Sequence, residues 1–185
     1  MLKGVSKLIK CFFNFKKRLF ICRIGGMNRT LGAIKGLPSD IGKWEFKPDP
    51  KSRTAKQIIG HILPHAEELK NAVDSKIIDE KEVHFKSVDE AHKYYETHSL
   101  QLIDKLKNVD DETWENEMVS LTVNGNKIYE GKMMDMYWVL LHDTIHHRGQ
   151  LSTYYRQMGV RVPSIYGPTA EDMEAMMAAA AAAAK

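Results

Sequence analysis

Cysteine is almost missing from this chain: only Cys11 and Cys22 occur among 185 residues, both within the first 26 positions. A disulfide-stapled secreted scaffold is therefore not expected, and a reducing, cytoplasmic compartment is the default. Also missing is any run approaching the roughly 18–20 continuous apolar residues that a membrane-spanning helix needs. Acidic side chains are absent from residues 1–26, which carry seven Lys or Arg. The whole chain has a formal charge of +3, so residues 27–185 carry −4 (3 less 7). A weakly acidic body argues against nucleic acid as a partner.

What the chain does have is apolar material, 43% of it, enough for one globular domain with a sizeable core. Three segments are expected: a basic leader or extra helix at 1–26, a helical body at 27–168 and an alanine-rich tail at 169–185. In the first, Phe12, Phe13 and Phe20 alternate irregularly with Lys10, Lys16, Lys17 and Arg18. A lipid-touching amphipathic helix and a targeting segment compete with the leader reading, and membrane contact is expected only through this segment. Gly25 and Gly26 mark its boundary.

Within the body, residues 27–36 suit a short helix ended by Gly36 and Pro38, and 39–52 a Pro-containing loop. A second helix starts at a Ser52 to Thr54 cap and runs to about Val73, with Pro64 kinking it beside His61 and His65. Residues 74–86 suit a charged connection. A third helix spans about Ser87 to Val109, where His92 and His98 are expected to serve packing. Residues 118–130 suit a β-hairpin about Asn124 and Gly125.

The most informative stretch is 133–158, which holds His142, His146 and His147 inside a run with helical apolar spacing. On a helical wheel with Leu141 at zero, the large apolar residues centre at about 300°. Asp143 and His147 fall at about 200° and about 240°, on the flank of that sector, while His142 and His146 fall on the far side at about 100° and about 140°. Each pair is i,i+4 and could grip one metal ion, but only Asp143 and His147 point where another helix could close the site. Gln150 and Tyr154 continue the polar line at about 180° and about 220°. A closed site needs a third ligand from another element, and helix two offers His61 or His65, between which phase does not choose. Arg148, inside the core sector, is expected to pair with an acidic residue of another helix, ahead of the alternative that it holds an anionic substrate.

The stretch from His142 through His147, Arg148, Gly149 and Gln150 to Arg156, followed by Val162 to Pro168, resembles the C-terminal signature of the DinB-like family. Trp44 to Pro48 with Ser52 to His61 resembles the second-helix signature of that family, so the resemblance covers about residues 30–168. It implies an all-α four-helix bundle, here with a small β-hairpin inserted before the last bundle helix. It also implies a divalent metal, zinc, nickel or iron, held by His61, by the position of Asp143 and by His147. The family usually has histidine where Asp143 stands, although two histidines and a carboxylate are a known ligand set. His142 is the alternative to Asp143. The implied chemistry is thiol S-transfer, with a low-molecular-weight thiol as cosubstrate, or hydrolysis of a small molecule, with Gln150 and Tyr154 as catalytic or substrate-facing groups. The competing expectation is a non-catalytic bundle that works by interaction. A homodimer is expected in either case.

Overall fold

The structure is a computed structural model that describes residues 26–184; the segment 1–26, with the membrane contact expected of it, lies outside the described residues but for Gly26. The described residues are mostly helical, with one three-stranded sheet. In order come α1 (26–35), a 3-10 turn (Ile41–Glu45), α2 (Ala55–Ile62), α3 (His65–Ser75), β1 (Ile77–Glu80), α4 (Val88–Lys107) and α5 (Asp111–Asn116). They are followed by β2 (Met118–Val123), β3 (Asn126–Lys132), α6 (Met133–Gln157) and α7 (Ala170–Ala183). Among the described residues no helix is long and apolar enough to cross a membrane.

The expected second helix is broken in two. Thr54 and Gln57 form a capping box that starts α2, each side chain accepting the other's backbone N–H. Pro64, which has no N–H to donate, ends it, and α3 starts afresh at His65. The two histidines thus sit on successive short helices rather than on one kinked rod. Lys76 then closes α3 in a left-handed conformation, with φ of 61°.

The charged connection at 74–86 holds a strand that local pattern does not reveal. Ile77–Glu80 pairs in parallel with Ser120–Val123, and β2 pairs antiparallel with β3 through the Asn124-Gly125 turn, where φ is 51° and 74° as a type I′ turn requires. Thr122 fastens the parallel pair by donating to the Asp79 carboxylate at 2.6 Å. The expected hairpin is therefore the larger part of a sheet, ordered β1-β2-β3.

Apolar packing divides into two clusters that α6 joins. One gathers Ile34, Ile58, Ile59, Ile62, Leu151 and Tyr155; the other gathers Leu69, Ile78, Leu102, Trp114, Met136 and Tyr137. The polar centre described below lies where the α2–α3 break meets the middle of α6, between the two. At the far end, the alanine run continues α7 to Ala183 with no residue buried, held to the body by Arg156–Glu171 and Arg161–Asp172 ion pairs.

Glu68 on α3 is a local conflict in this packing. It is 4% exposed; Oε1 accepts the Lys81 N–H at 3.0 Å, and Oε2 has no partner among the described residues. Burial pushes its carboxyl up from 4.5 to about 7. The folded state therefore holds this proton more tightly than the unfolded chain. The contribution of this group to stability should be greatest below pH 4.5 and fall as pH rises through about 7, by up to about 3 kcal/mol. Glu68→Gln is expected to flatten that slope, as read from denaturant midpoints at pH 4.5 and pH 8 relative to the unsubstituted protein.

Candidate metal centre

Three imidazoles converge on one carboxylate. Asp143 Oδ2 lies 3.1 Å from His61 Nε2 and 3.6 Å from His65 Nε2, and Asp143 Oδ1 lies 3.4 Å from His147 Nε2. The ring centroids of His61 and His147 are 4.8 Å apart, nearly perpendicular. One ligand atom each from His61, Asp143 and His147 falls within 4.8 Å of the others, a spacing that one ion can bridge. All three histidines are buried, whereas the Asp143 side chain keeps 34% of its exposure.

The opposite edge of each ring is already committed. His147 Nδ1 is 2.7 Å from Gln150 Oε1, His61 Nδ1 is 3.4 Å from Glu80 Oε1, and His65 Nδ1 is 3.0 Å from Thr144 Oγ1. An amide oxygen and a carboxylate can only accept, and the Thr144 hydroxyl is spent as a donor to Leu140 O at 2.8 Å. Each Nδ1 therefore carries the ring proton, which turns each Nε2 lone pair toward Asp143. Lone pairs facing a carboxylate repel it unless positive charge stands between them. Either protons on Nε2 or a cation must supply that charge.

Burial alone would raise the Asp143 carboxyl, but N–H donation from His147 and His61, with the charges of His147 and His65, holds it well below the usual carboxylate range. A metal ion would replace those protons with the same sign of charge. The donor set, imidazole nitrogen with one carboxylate, fits zinc, nickel or iron.

The alternatives left open by the sequence now separate. His142 is exposed against the ring of Trp138, 5.4 Å between centroids, and His146 is exposed as well, so neither enters the centre through its own ring edge. His61 is in the compact group; His65 stands beside it, near Asp143 but outside the closest three. Gln150 reaches His147, whereas the buried Tyr154 donates to Arg53 O at 3.2 Å, ahead of α2. His98 packs its ring on Tyr94 at 4.4 Å. Arg148 finds no carboxylate; it donates instead to Gly26 O at 2.8 Å and to Tyr166 Oη at 2.6 Å, because residues 26–30 and the 158–169 loop close over it. Glu80 and Thr144 were not legible as ring supports. Thr144 carried a signal, a polar residue at about 300° on the wheel, in the middle of the apolar sector. Glu80 carried none.

Comparison with known proteins gives the family. The DinB family model matches residues 26–181, most of the chain. This chain belongs to the DinB family. Two DinB-like crystal structures share its fold. That of a Bacillus subtilis protein has 16% identity and a TM-score of 0.62, covering 81% of this chain and 98% of its own. That of a Bacillus cereus protein also has 16% identity, with a TM-score of 0.56, covering 76% of this chain and 91% of its own. No curated protein matches. In this DinB chain the Asp143 carboxylate sits among three rings, with His65 Nε2 3.6 Å from it.

Proposed function

We propose that this DinB protein binds a divalent metal through His61, Asp143 and His147 and uses it in thiol S-transfer to a small electrophile, or in hydrolysis of a small molecule. The observation that carries this reading is the set of three Nδ1 atoms, each occupied by an acceptor, which leaves three Nε2 lone pairs about one carboxylate. The finer fold reading, a four-helix bundle, takes α1, the α2–α3 pair, α4 and α6 as its members. When bound, the metal supplies a Lewis acid that lowers the pKa of a coordinated thiol or water.

The residues of the chain do the rest. His61 and His147 come from separate helices and fix the centre against the core. Asp143 presents its partly exposed side chain toward solvent, the side from which a small thiol or water arrives. Gln150 is a positioning residue: it holds the His147 ring by Nδ1 and fixes its tautomer. Gln150→Leu should lower metal affinity about 10–100-fold, measured by competition with a chromophoric chelator, with little change in thermal midpoint of the metal-free protein.

The reaction is tested by incubating metal-loaded protein with electrophilic substrates in the presence and absence of low-molecular-weight thiols. Turnover that needs both metal and thiol supports transfer; turnover with metal alone supports hydrolysis. Stoichiometric metal without turnover under either condition would leave the non-catalytic reading, in which the bundle, as a homodimer, acts by interaction.

A further inference from the structure

The Glu80 carboxylate reaches His61 Nδ1 from the last residue of β1, so its direction depends on how the backbone is held on either side of it. On the N-terminal side the sheet does this, with Glu80 in register with Val123. On the C-terminal side the pairing stops. The chain leaves the sheet there as a strap, residues 81–85, that ends in the buried Phe85. Two hydrogen bonds pin the strap to the helices beneath it. The Val83 N–H donates to Gly60 O on α2 at 2.9 Å, and the Lys81 N–H donates to Glu68 Oε1 on α3 at 3.0 Å.

The second pin bears directly on Glu80. Lys81 N belongs to the planar peptide unit that leaves Glu80 Cα, so holding its N–H fixes the torsion about the Glu80 Cα–C bond and the way the Glu80 side chain is presented. The acceptor is an odd choice for packing. Glu68 is 4% exposed, spends one oxygen on this single N–H and leaves the other without a partner among the described residues. An apolar side chain of similar length would fill the space without the cost of burying a carboxylate. The Lys81 ammonium is spent elsewhere: Nζ donates to Glu67 Oε2 at 2.6 Å, to which Tyr94 Oη also donates. What Glu68 supplies that an apolar residue could not is a fixed acceptor for the strap.

We propose that Glu68 is a positioning residue of the metal centre: by holding the Lys81 N–H it aims Glu80 at His61 Nδ1, and so keeps the His61 Nε2 lone pair turned toward Asp143. This role rests on His61, Asp143 and His147 holding the ion as proposed above. It extends the centre to a buried carboxylate on α3 that makes no hydrogen bond to any of those three among the described residues. The influence passes from Glu68 through the Lys81 N–H to Glu80 and then to His61.

A double-mutant cycle on the full chain tests this route, with zinc affinity read by competition with a chromophoric chelator. Glu68→Leu removes the acceptor and should lower zinc affinity about tenfold; Glu80→Ala removes the support itself and should lower it about 10–100-fold. In the Glu80→Ala background, Glu68→Leu should cost nothing more, because its whole effect passes through Glu80. Glu68→Gln keeps an acceptor for the Lys81 N–H and should bind zinc as the unsubstituted protein does. Losses that add in the double variant, or a loss with glutamine equal to that with leucine, overturn the proposal, since Glu68 then acts through stability or through its charge. A leucine variant that binds zinc at full strength overturns it too. Should Glu68→Leu not fold, Glu68→Met takes its place in the cycle. Unsubstituted protein that binds no zinc sinks the metal reading and the role of Glu68 with it; zinc bound there, with additive losses in the variants, sinks the role of Glu68 alone.

Discussion

Replacing His61 or His147 by alanine is expected to empty the metal centre, from about one ion per chain to none that survives desalting. A site of three protein ligands loses its chelate when one is removed, and the two that remain leave the ion mostly hydrated. Thermal melting reports the same loss. A metal that binds only the folded state stabilises it by about 2.7 kcal/mol at a free concentration a hundred times its dissociation constant. That increment should appear in the unsubstituted protein and be absent from both variants. His142→Ala and His146→Ala, on the exposed face of α6, should leave metal content unchanged. His65→Ala should retain the ion with reduced affinity, since His65 borders the group without belonging to its closest three. Unsubstituted protein whose melting ignores zinc and nickel alike would end the case for a metal here.

Gly60→Ala is expected to destabilise the fold by about 1–3 kcal/mol although it places the best helix former inside a helix. Helix propensity alone favours alanine by about 1 kcal/mol. The added Cβ would lie 2.7 Å from Val83 O, a backbone atom, and 3.3 Å from Glu82 Cγ. The backbone cannot withdraw freely, because the Val83 N–H donates to Gly60 O at 2.9 Å and holds the two segments in register. Overpacking against a pinned backbone outweighs the propensity gain. The strain falls between His61 and the segment that follows Glu80, so metal affinity should decline with stability. Gly32→Ala is the matched control: its Cβ would meet nothing within 4 Å among the described residues, and the substitution should be neutral or stabilising by up to about 1 kcal/mol. Equal effects at the two positions, in denaturant titrations, would show that the close approach at Gly60 has no energetic weight.

How far the sequence discloses this molecule depends on how local each determinant is. Thr54 with Gln57, Ser87 with Glu90 and Asn124 with Gly125 are signals complete within a few residues, and each begins or turns an element where it was expected. Asp143 and His147 are legible because four residues of helix separate them and one face is apolar. The wheel is only slightly misplaced: Met136 is fully buried and Ile145 is 37% exposed. The core therefore centres at about 280° rather than at about 300°. That shift brings His147 inside the core sector rather than on its flank. Pro64 could be read as an interruption, but not as a complete break that restarts the helical phase at His65. β1 could not be read at all, because four residues, two of them acidic, show no alternation long enough to register. The partners of Arg148 were equally hidden, being a carbonyl and two hydroxyls from opposite ends of the chain rather than a carboxylate on a neighbouring helix.

The parallel pairing of Ile77–Glu80 with Ser120–Val123 has a kinetic consequence. Parallel neighbours cannot be zipped up from a tight turn; the whole of α4 and α5 must be synthesised and brought round before the first rung forms. Glu80, which steadies the His61 ring, is delivered by that late closure, and His147 emerges from the ribosome later still. During synthesis, then, the proposed metal centre cannot assemble until nearly the whole body is present.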